Sequence, residues 1–216
     1  MNRETASMKF YDCQPAPSPR RARMFIAEKG LDIPVVEVDL KSGEHMKDPF
    51  RAINPQCTVP VLETKEGQCL TESVAIYRYL EEIEPDPPLL GSTPLEKALV
   101  TEWDHRTETE GFYAIADALR NTAKGFRDRA TTGPENFAQI PELATRGRRR
   151  AALFFRALDD RLGESRYLAG DFFSAADISA LVVVDFGAWI KLEIPEDHRN
   201  LKRWHADVSG RPSAKL

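Results

Sequence analysis

The 216-residue chain has only three cysteines, Cys13, Cys57 and Cys69. Their number and uneven spacing exclude a disulfide framework and a zinc ribbon, leaving reduced thiols as the expectation. No apolar run approaches the ~20 residues that a membrane-spanning helix needs. The N-terminal MNRETAS lacks the apolar core of a secretory signal, so the expected location is cytoplasmic. Nor is there an excess of basic charge: 30 Lys and Arg against 34 Asp and Glu give a net charge of -4. A chain built to grip nucleic acid usually carries a basic footprint. The dense basic stretch at Arg146–Ala151, RGRRRA, reads as a solvated helix face. Internal repeats and low-complexity segments are also missing. What is there, 42% hydrophobic and 30% charged residues, is the balance of an ordinary globular protein.

The chain changes character near its middle. Four prolines and a glycine fall within EPDPPLLGSTP, Glu84–Pro94, a density that stops helices and favours extended backbone. The reading is two domains, residues 8–84 and 94–216, with a linker over 85–93 and an N-terminal extension over 1–7.

In the first domain Lys9–Asp12 reads as a strand. Ser18-Pro19 opens a helix, with Ser as N-cap and Pro at the first helical position, and Gly30 ends it. Val35–Leu40 is a second strand, and a short helix or irregular segment around His45–Ile53 is halted by Asn54-Pro55. Val61–Glu63 and Gln68–Leu70 form a hairpin. Ser73–Ile83 closes the domain as a helix, with Ile76, Leu80 and Ile83 on one face. The order β-α-β-α-β-β-α is the thioredoxin-like α/β layout, in which the β-α elements require a parallel strand pair.

The second domain reads as an all-α bundle. A long helix from about Leu95 to Lys124 carries Phe112, Ile115, Ala116 and Leu119 on one stripe. After a loop containing Thr131–Pro134, a helix over Leu143–Leu162 buries Ala151, Phe154, Phe155, Leu158 and Leu162. Ser174 and Asp177 form a capping box, with Phe173 stapling onto Ile178. The helix beyond, Ile178–Trp189, points Leu181, Val182 and Trp189 inward.

Five segments, in this order and at this spacing, resemble the cytosolic glutathione transferase superfamily. They are SPRRARMFIAEKG (Ser18–Gly30), DLKSGEHMKDPFRAINP (Asp39–Pro55), TVPVLE (Thr58–Glu63), LTESVAIYRYL (Leu70–Leu80) and YLAGDFFSAADISA (Tyr167–Ala180). The resemblance runs from Met8 to about Pro212. It implies the glutathione transferase fold, of a bacterial, Ser/Cys-like type rather than a clearly Tyr-type one. The implied activity conjugates the thiolate of glutathione, the co-substrate, to hydrophobic electrophiles, without a metal. A cytoplasmic two-fold homodimer is implied, with no nucleic-acid or membrane partner.

The resemblance also implies roles for particular residues. Val59-Pro60 matches the family's cis-proline, which turns the Val59 backbone outward to a peptide-like ligand. Glu72 pairs with the γ-glutamyl ammonium, and Ser73, at a positive helix end, takes the carboxylate. His45 lies near the glycine end of glutathione, where Thr58 and Gln56 assist. Asp104 reaches the γ-glutamyl ammonium of the neighbouring subunit. The electrophile pocket is walled by Ala16, Pro17, Arg106, Glu110, Tyr113 and Trp204.

The thiol-activating group departs from the family pattern, because Ala16 stands where many members keep Ser or Cys. Ser18 is therefore the expected catalytic residue, with a pure capping role as the alternative. Tyr11 and Cys13 are less well placed. Cys57 is either an inert thiol or a partner for a mixed disulfide with glutathione. Arg20, Arg21 and Arg23 are solvated or paired, or raise the local positive potential. Two other functions remain open: a non-catalytic binding or regulatory protein, and a glutathione-dependent thiol-disulfide reductase or peroxidase.

Overall fold

The computed structural model describes residues 7–216, so the N-terminal extension expected over 1–7 lies, apart from Ser7, outside the described residues. The chain forms two compact units. One holds the residues through Pro87 together with Thr132–Glu135 and Leu216; the other holds Pro88–Thr131 and Asn136–Lys215.

The first unit has the βαβαββα order: β1 (Lys9–Asp12), α1 (Pro17–Glu28), β2 (Val35–Glu37), α2 (Asp48–Ile53), β3 (Val61–Glu63), β4 (Cys69–Leu70) and α3 (Ser73–Ile83). The sheet order is β2-β1-β3-β4. β1 runs parallel to β2, which the α1 crossover permits, and antiparallel to β3. Phe25 of α1 stacks on Tyr77 of α3 with ring centroids 4.5 Å apart. Tyr11, Cys13, Val38, Phe50, Val59 and Val61 form a separate buried cluster.

Three local readings change. Ser18 does not cap α1. Ala16 is the N-cap and Pro17 takes the first helical position, since proline's fixed φ and missing N–H suit it to that place. β2 stops at Glu37 rather than Leu40, because the Asp39 carboxylate accepts the Lys41 and Ser42 N–H groups and turns the chain. β4 begins one residue late, at Cys69. Outside the sequence reading altogether is Lys29, whose buried ammonium pairs with Glu81 of α3 and donates to the Pro87 carbonyl, each at 2.5 Å.

The second unit is helical: α4 (Pro94–Arg106), α5 (Tyr113–Arg120), α6 (Pro141–Glu164), α7 (Ala175–Gly187) and α8 (Arg199–Ser209). The expected single helix over Leu95–Lys124 is instead α4 and α5 joined by a π-helical turn, Thr107–Phe112. One added residue rotates the following face by about 100°. The buried set accordingly moves to Ala114, Ile115 and Ala118, leaving Phe112, Ala116 and Leu119 half-buried. The α6 stripe of Ala151, Phe154, Phe155, Leu158 and Leu162 is buried as expected. Gly147 lets α6 approach α5 closely, since a β-carbon there would lie 2.5 Å from the Ala114 carbonyl oxygen. In the basic run, Arg148 and Arg150 are not merely solvated: they donate to the carbonyls of Ile190 and Thr109.

Two tryptophans are corrected. Trp189 lies in a one-turn 3-10 segment after α7 and is 52% exposed, because the α-helix has ended at Gly187 and no longer sets its direction. Trp204 of α8 is fully buried, so it walls no pocket; its indole Nε1–H donates to Asp177 at 2.8 Å. Asp177 is the hub of this unit. Its carboxylate also accepts the Leu168 N–H, the Ser174 N–H and the Ser174 hydroxyl, each at 3.1 Å.

Burial pushes the Asp177 carboxyl up to about 6, against the downward pull of these donors. A native pKa above the unfolded one means that this group's contribution is fully present below about pH 4 and is lost as pH rises through about 6. The stability of the wild type relative to Asp177→Asn should therefore fall by on the order of 2–3 kcal/mol between pH 4 and 6.5. Paired urea titrations across that range read the difference directly.

Candidate active site

The first unit gathers most of the expected site on three chain segments: the turn into α1, the loop into β3 and the start of α3. A buried polar group fixes each of the first two: Asp12 and Asn54 respectively.

The turn after β1 is held from both sides. Buried Asp12 takes both its carboxylate bonds from Arg23 Nη1, at 2.6 and 2.7 Å, and Arg23 Nη2 reaches the Gln14 carbonyl at 3.0 Å. Gln14 N–H donates to Glu37 of β2 at 2.9 Å, and Ala16 N–H to the Cys13 carbonyl at 2.8 Å. Arg23 is thus a structural cation. The turn delivers Ala16, Pro17 and Ser18 half-buried at the start of α1. Ser18 Oγ accepts from Arg21 Nη2 at 3.3 Å. Pro17 and Pro19 have no N–H, so Ser18 carries the only amide donor among the first three residues of α1.

The neighbouring candidates are chemically quiet. Tyr11 donates its hydroxyl to Glu63 at 2.9 Å. Burial, then the Glu63 hydrogen bond and charge, push its pKa up to about 12. Burial also raises the Cys13 thiol, outweighing the backbone hydrogen bonds of Leu40 and Ala16. At neutral pH both keep their protons.

The loop into β3 depends on a residue that the sequence reading treated only as a helix stop. Asn54, fully packed, donates Nδ2 to the Thr58 carbonyl at 2.8 Å and to Thr58 Oγ1 at 3.0 Å, while its Oδ1 accepts the Gln56 N–H at 3.0 Å. Cys57 N–H closes the same loop onto the Asn54 carbonyl. The signal was present as Asn before Pro, a turn-forming pair. Cys57 adopts φ 54°, is buried, and points its thiol at the Pro55 carbonyl, 3.6 Å away. The Val59-Pro60 peptide is cis, as is Asp86-Pro87, which the sequence did not announce. Val59 lies just outside the β1–β3 ladder, which ends at Val61.

At α3, Glu72 is the exposed N-cap and makes no side-chain capping bond. Ser73 is only 6% exposed, and its buried hydroxyl has no hydrogen-bond partner. His45 sits half-buried in the short 3-10 turn Glu44–Met46 that precedes α2.

The remaining expected residues belong to the second unit. Arg106 covers the Trp103 ring at 4.4 Å and pairs with Glu110 at 3.0 Å; Tyr113 is 52% exposed. Asp104 accepts the Ser179 hydroxyl at 2.6 Å. Among the described residues no group of His, Cys, Asp and Glu could hold a metal ion, and no helix is long and apolar enough to cross a membrane.

A thioredoxin-like unit with a cis-proline before β3, followed by a helical bundle, is the fold class of the glutathione transferases. The models of the glutathione S-transferase N-terminal and C-terminal domains match residues 16–83 and 130–212. Glutathione S-transferase 2 of Saccharomyces cerevisiae is 35% identical, over 96% of this chain and 88% of that protein. Glutathione S-transferase F9 of Arabidopsis thaliana is 30% identical, over 92% and 90%. The crystal structure of a glutathione S-transferase domain-containing protein from Marinobacter aquaeolei superposes with a TM-score of 0.87, at 35% identity, over 95% of this chain and 98% of that one. The chain belongs to the glutathione S-transferase family, a family of enzymes.

Removing the Asn54 side chain should strand the Thr58 carbonyl and the Gln56 N–H together. Asn54→Ala is expected to cost about 1–3 kcal/mol, as the loss of hydrogen bonds to part-buried partners does. Asn54→Asp, which keeps the acceptor for Gln56, should cost less at acid pH than at neutral pH, where its charge meets the Thr58 carbonyl. Urea midpoints of the two variants, at pH 5 and 7.5, check the order.

Proposed function

We propose that the chain is a glutathione transferase of the Ser/Cys-like type, cytoplasmic and a two-fold homodimer, that conjugates glutathione to hydrophobic electrophiles. Residues 8–84 bind glutathione, and residues 94–216 supply the electrophile side, with Arg106, Glu110 and Tyr113 joining Ala16 and Pro17. Val59 offers its backbone to the peptide, His45 and Thr58 serve its glycine end, and Glu72 takes the γ-glutamyl ammonium. Asp104, which accepts the Ser179 hydroxyl, serves the γ-glutamyl ammonium of the neighbouring subunit.

The observation that carries this reading is Ser73. A buried hydroxyl without a partner costs about 1–3 kcal/mol. Here it stands in the first turn of α3, where free N–H groups and the helix dipole favour an anion. A ligand carboxylate satisfies the hydroxyl and the amides at once. Ser73→Ala therefore has opposite effects on the two equilibria. It should leave the free protein as stable as the wild type or about 1 kcal/mol more stable, and weaken glutathione by about 10-fold or more. Calorimetric titration with glutathione and a urea curve measure both; unchanged affinity would remove the carboxylate from this helix start.

Ser18 is proposed as the thiolate's partner, through its hydroxyl and its amide. The buried, proton-holding Cys13 favours conjugation over disulfide exchange. Ser18→Ala should raise the pKa of bound glutathione and lower turnover at neutral pH by about 10- to 100-fold, with affinity little changed. Thiolate absorbance of the complex against pH decides it. Superimposable curves would leave the thiolate to the Ser18 amide alone.

A further inference from the structure

The arginines of α6 divide into two sets. Arg148 and Arg150 flank the buried stripe of this helix and are engaged by backbone, donating to the carbonyls of Ile190 and Thr109. Arg161, further along, donates to the Leu168 carbonyl and pairs with Glu164. Arg146, Arg149 and Arg156 have no such use. All three are exposed, and among the described residues their side chains make no hydrogen bond, ion pair or ring contact.

The steps of three, four and three residues between Arg146, Arg149, Leu153 and Arg156 keep these positions on one line down the helix, opposite the buried Ala151, Phe154 and Leu158. Leu153, 47% exposed, therefore stands among the arginines, with exposed Ala152 beside it. One turn beyond each end the line continues as Glu142 and Asp160, both exposed. The row reads acid, base, base, leucine, base, acid. At 1.5 Å per residue its outer arginines are ~15 Å apart.

Three guanidiniums around an apolar side chain are complemented by carboxylates around an apolar side chain. The acids at the ends limit what can carry them. A phosphate-bearing surface, lipid or nucleic acid, extends past both ends, where Glu142 and Asp160 repel it, and the chain's net charge of -4 adds to that repulsion. A second copy centred on the same row is disfavoured too. Paired antiparallel it sets Arg146 against Arg156 and Glu142 against Asp160; paired parallel it sets each residue against itself. We infer that the outer face of α6 is a docking surface for an acidic helical segment of a different protein. Its carboxylates meet Arg146, Arg149 and Arg156, and its apolar side chain covers Leu153. Docking here involves none of the residues assigned to glutathione or the electrophile.

The matching probe is a fluorescein-labelled helical peptide with glutamates at i, i+7 and i+10, leucine at i+3, and lysines at i−4 and i+14, the antiparallel complement of the row. It should bind the full chain in fluorescence anisotropy, about 10-fold more weakly when salt rises from about 0.05 to 0.3 M. Arg146→Gln, Arg149→Gln and Arg156→Gln together should weaken it about 10-fold or more, and Leu153→Ser alone about threefold. These side chains face solvent, so both variants should keep the wild-type urea midpoint. Arg127→Gln, at an exposed arginine outside α6, should change nothing. With the wild type alone, a peptide of the same composition whose glutamates are spread around the helix should bind about 10-fold more weakly than the ordered one. Undetectable binding at about 0.5 mM peptide overturns the docking surface. Equal affinity for the ordered and scrambled peptides, or for wild type and the triple variant, overturns it as well. Duplex DNA or phosphatidylserine vesicles held more tightly than the peptide at equal salt overturn the helical partner in favour of a phosphate-bearing one.

Discussion

A single buried carboxylate, Asp177, sets the register of the helical unit. Helix α7 is apolar nearly all round, with Ile178, Leu181, Val182 and Val183 buried, so hydrophobic burial alone would tolerate rotation or sliding of that cylinder. Directional bonds remove the freedom. Asp177 ties the start of α7 to the turn after α6 through Leu168 and to α8 through Trp204. Two aliphatic faces in contact gain area in many arrangements; four donors converge on one carboxylate in a single arrangement. The desolvation that raises its pKa is the cost of that specificity.

The first unit applies the same device at the site. Asp12 with Arg23 fixes the turn into α1, and Asn54 fixes the loop into β3. Both are buried groups with every contact made to backbone or to a near-buried partner. Exposed ion pairs, such as Lys9–Glu63, contribute little by comparison, since solvent screens them. A binding surface made largely of backbone needs such anchoring, because backbone atoms can be aimed only by fixing the chain that carries them.

What the sequence made legible follows from this division. Signals that act within about four residues were readable: the Ser174–Asp177 cap, the α3 stripe of Ile76 and Leu80, the α6 stripe, and the strand of Lys9–Asp12. The cis Val59-Pro60 peptide came from family resemblance. Interactions that join distant residues were not readable. Lys29 with Glu81, Arg23 with Asp12 as a bidentate clamp, and Trp204 with Asp177 have no local pattern. The π-helical turn was missed for another reason: TETEGFY carries an adequate helical sequence, and only the structure shows Gly111 of that turn so close to α6 and α7 that a β-carbon would lie 2.6 Å from Phe154 and 2.8 Å from Val183. At α1 the helix starts two residues before the expected Ser18-Pro19 opening, and the proline at Pro17 outranked the capping preference of Ser18. Helix α8 carries a clear apolar stripe at Leu201, Trp204 and Val208, which reading Trp204 as a pocket wall obscured.

Binding and activation place different demands on this site. On the proposed reading, holding a peptide spreads the work over the Val59 backbone, the start of α3 and several side chains, so no one residue has to be ideal. Activating a thiol concentrates it on the few donors near one sulfur. Lowering a thiol pKa by two units takes about 2.7 kcal/mol of preference for the thiolate. A helix end supplies about 0.3–1 kcal/mol of that, and a charge-assisted hydrogen bond about 1.5–3 kcal/mol. With Ala16 as cap and prolines on both sides of Ser18, the opening of α1 offers neither a second hydroxyl nor a second amide among its first three residues. On the reading proposed above, the requirement is therefore met at Ser18 or not met by this helix at all, and the bonds that Arg23 and Gln14 make fix the turn that carries this single donor.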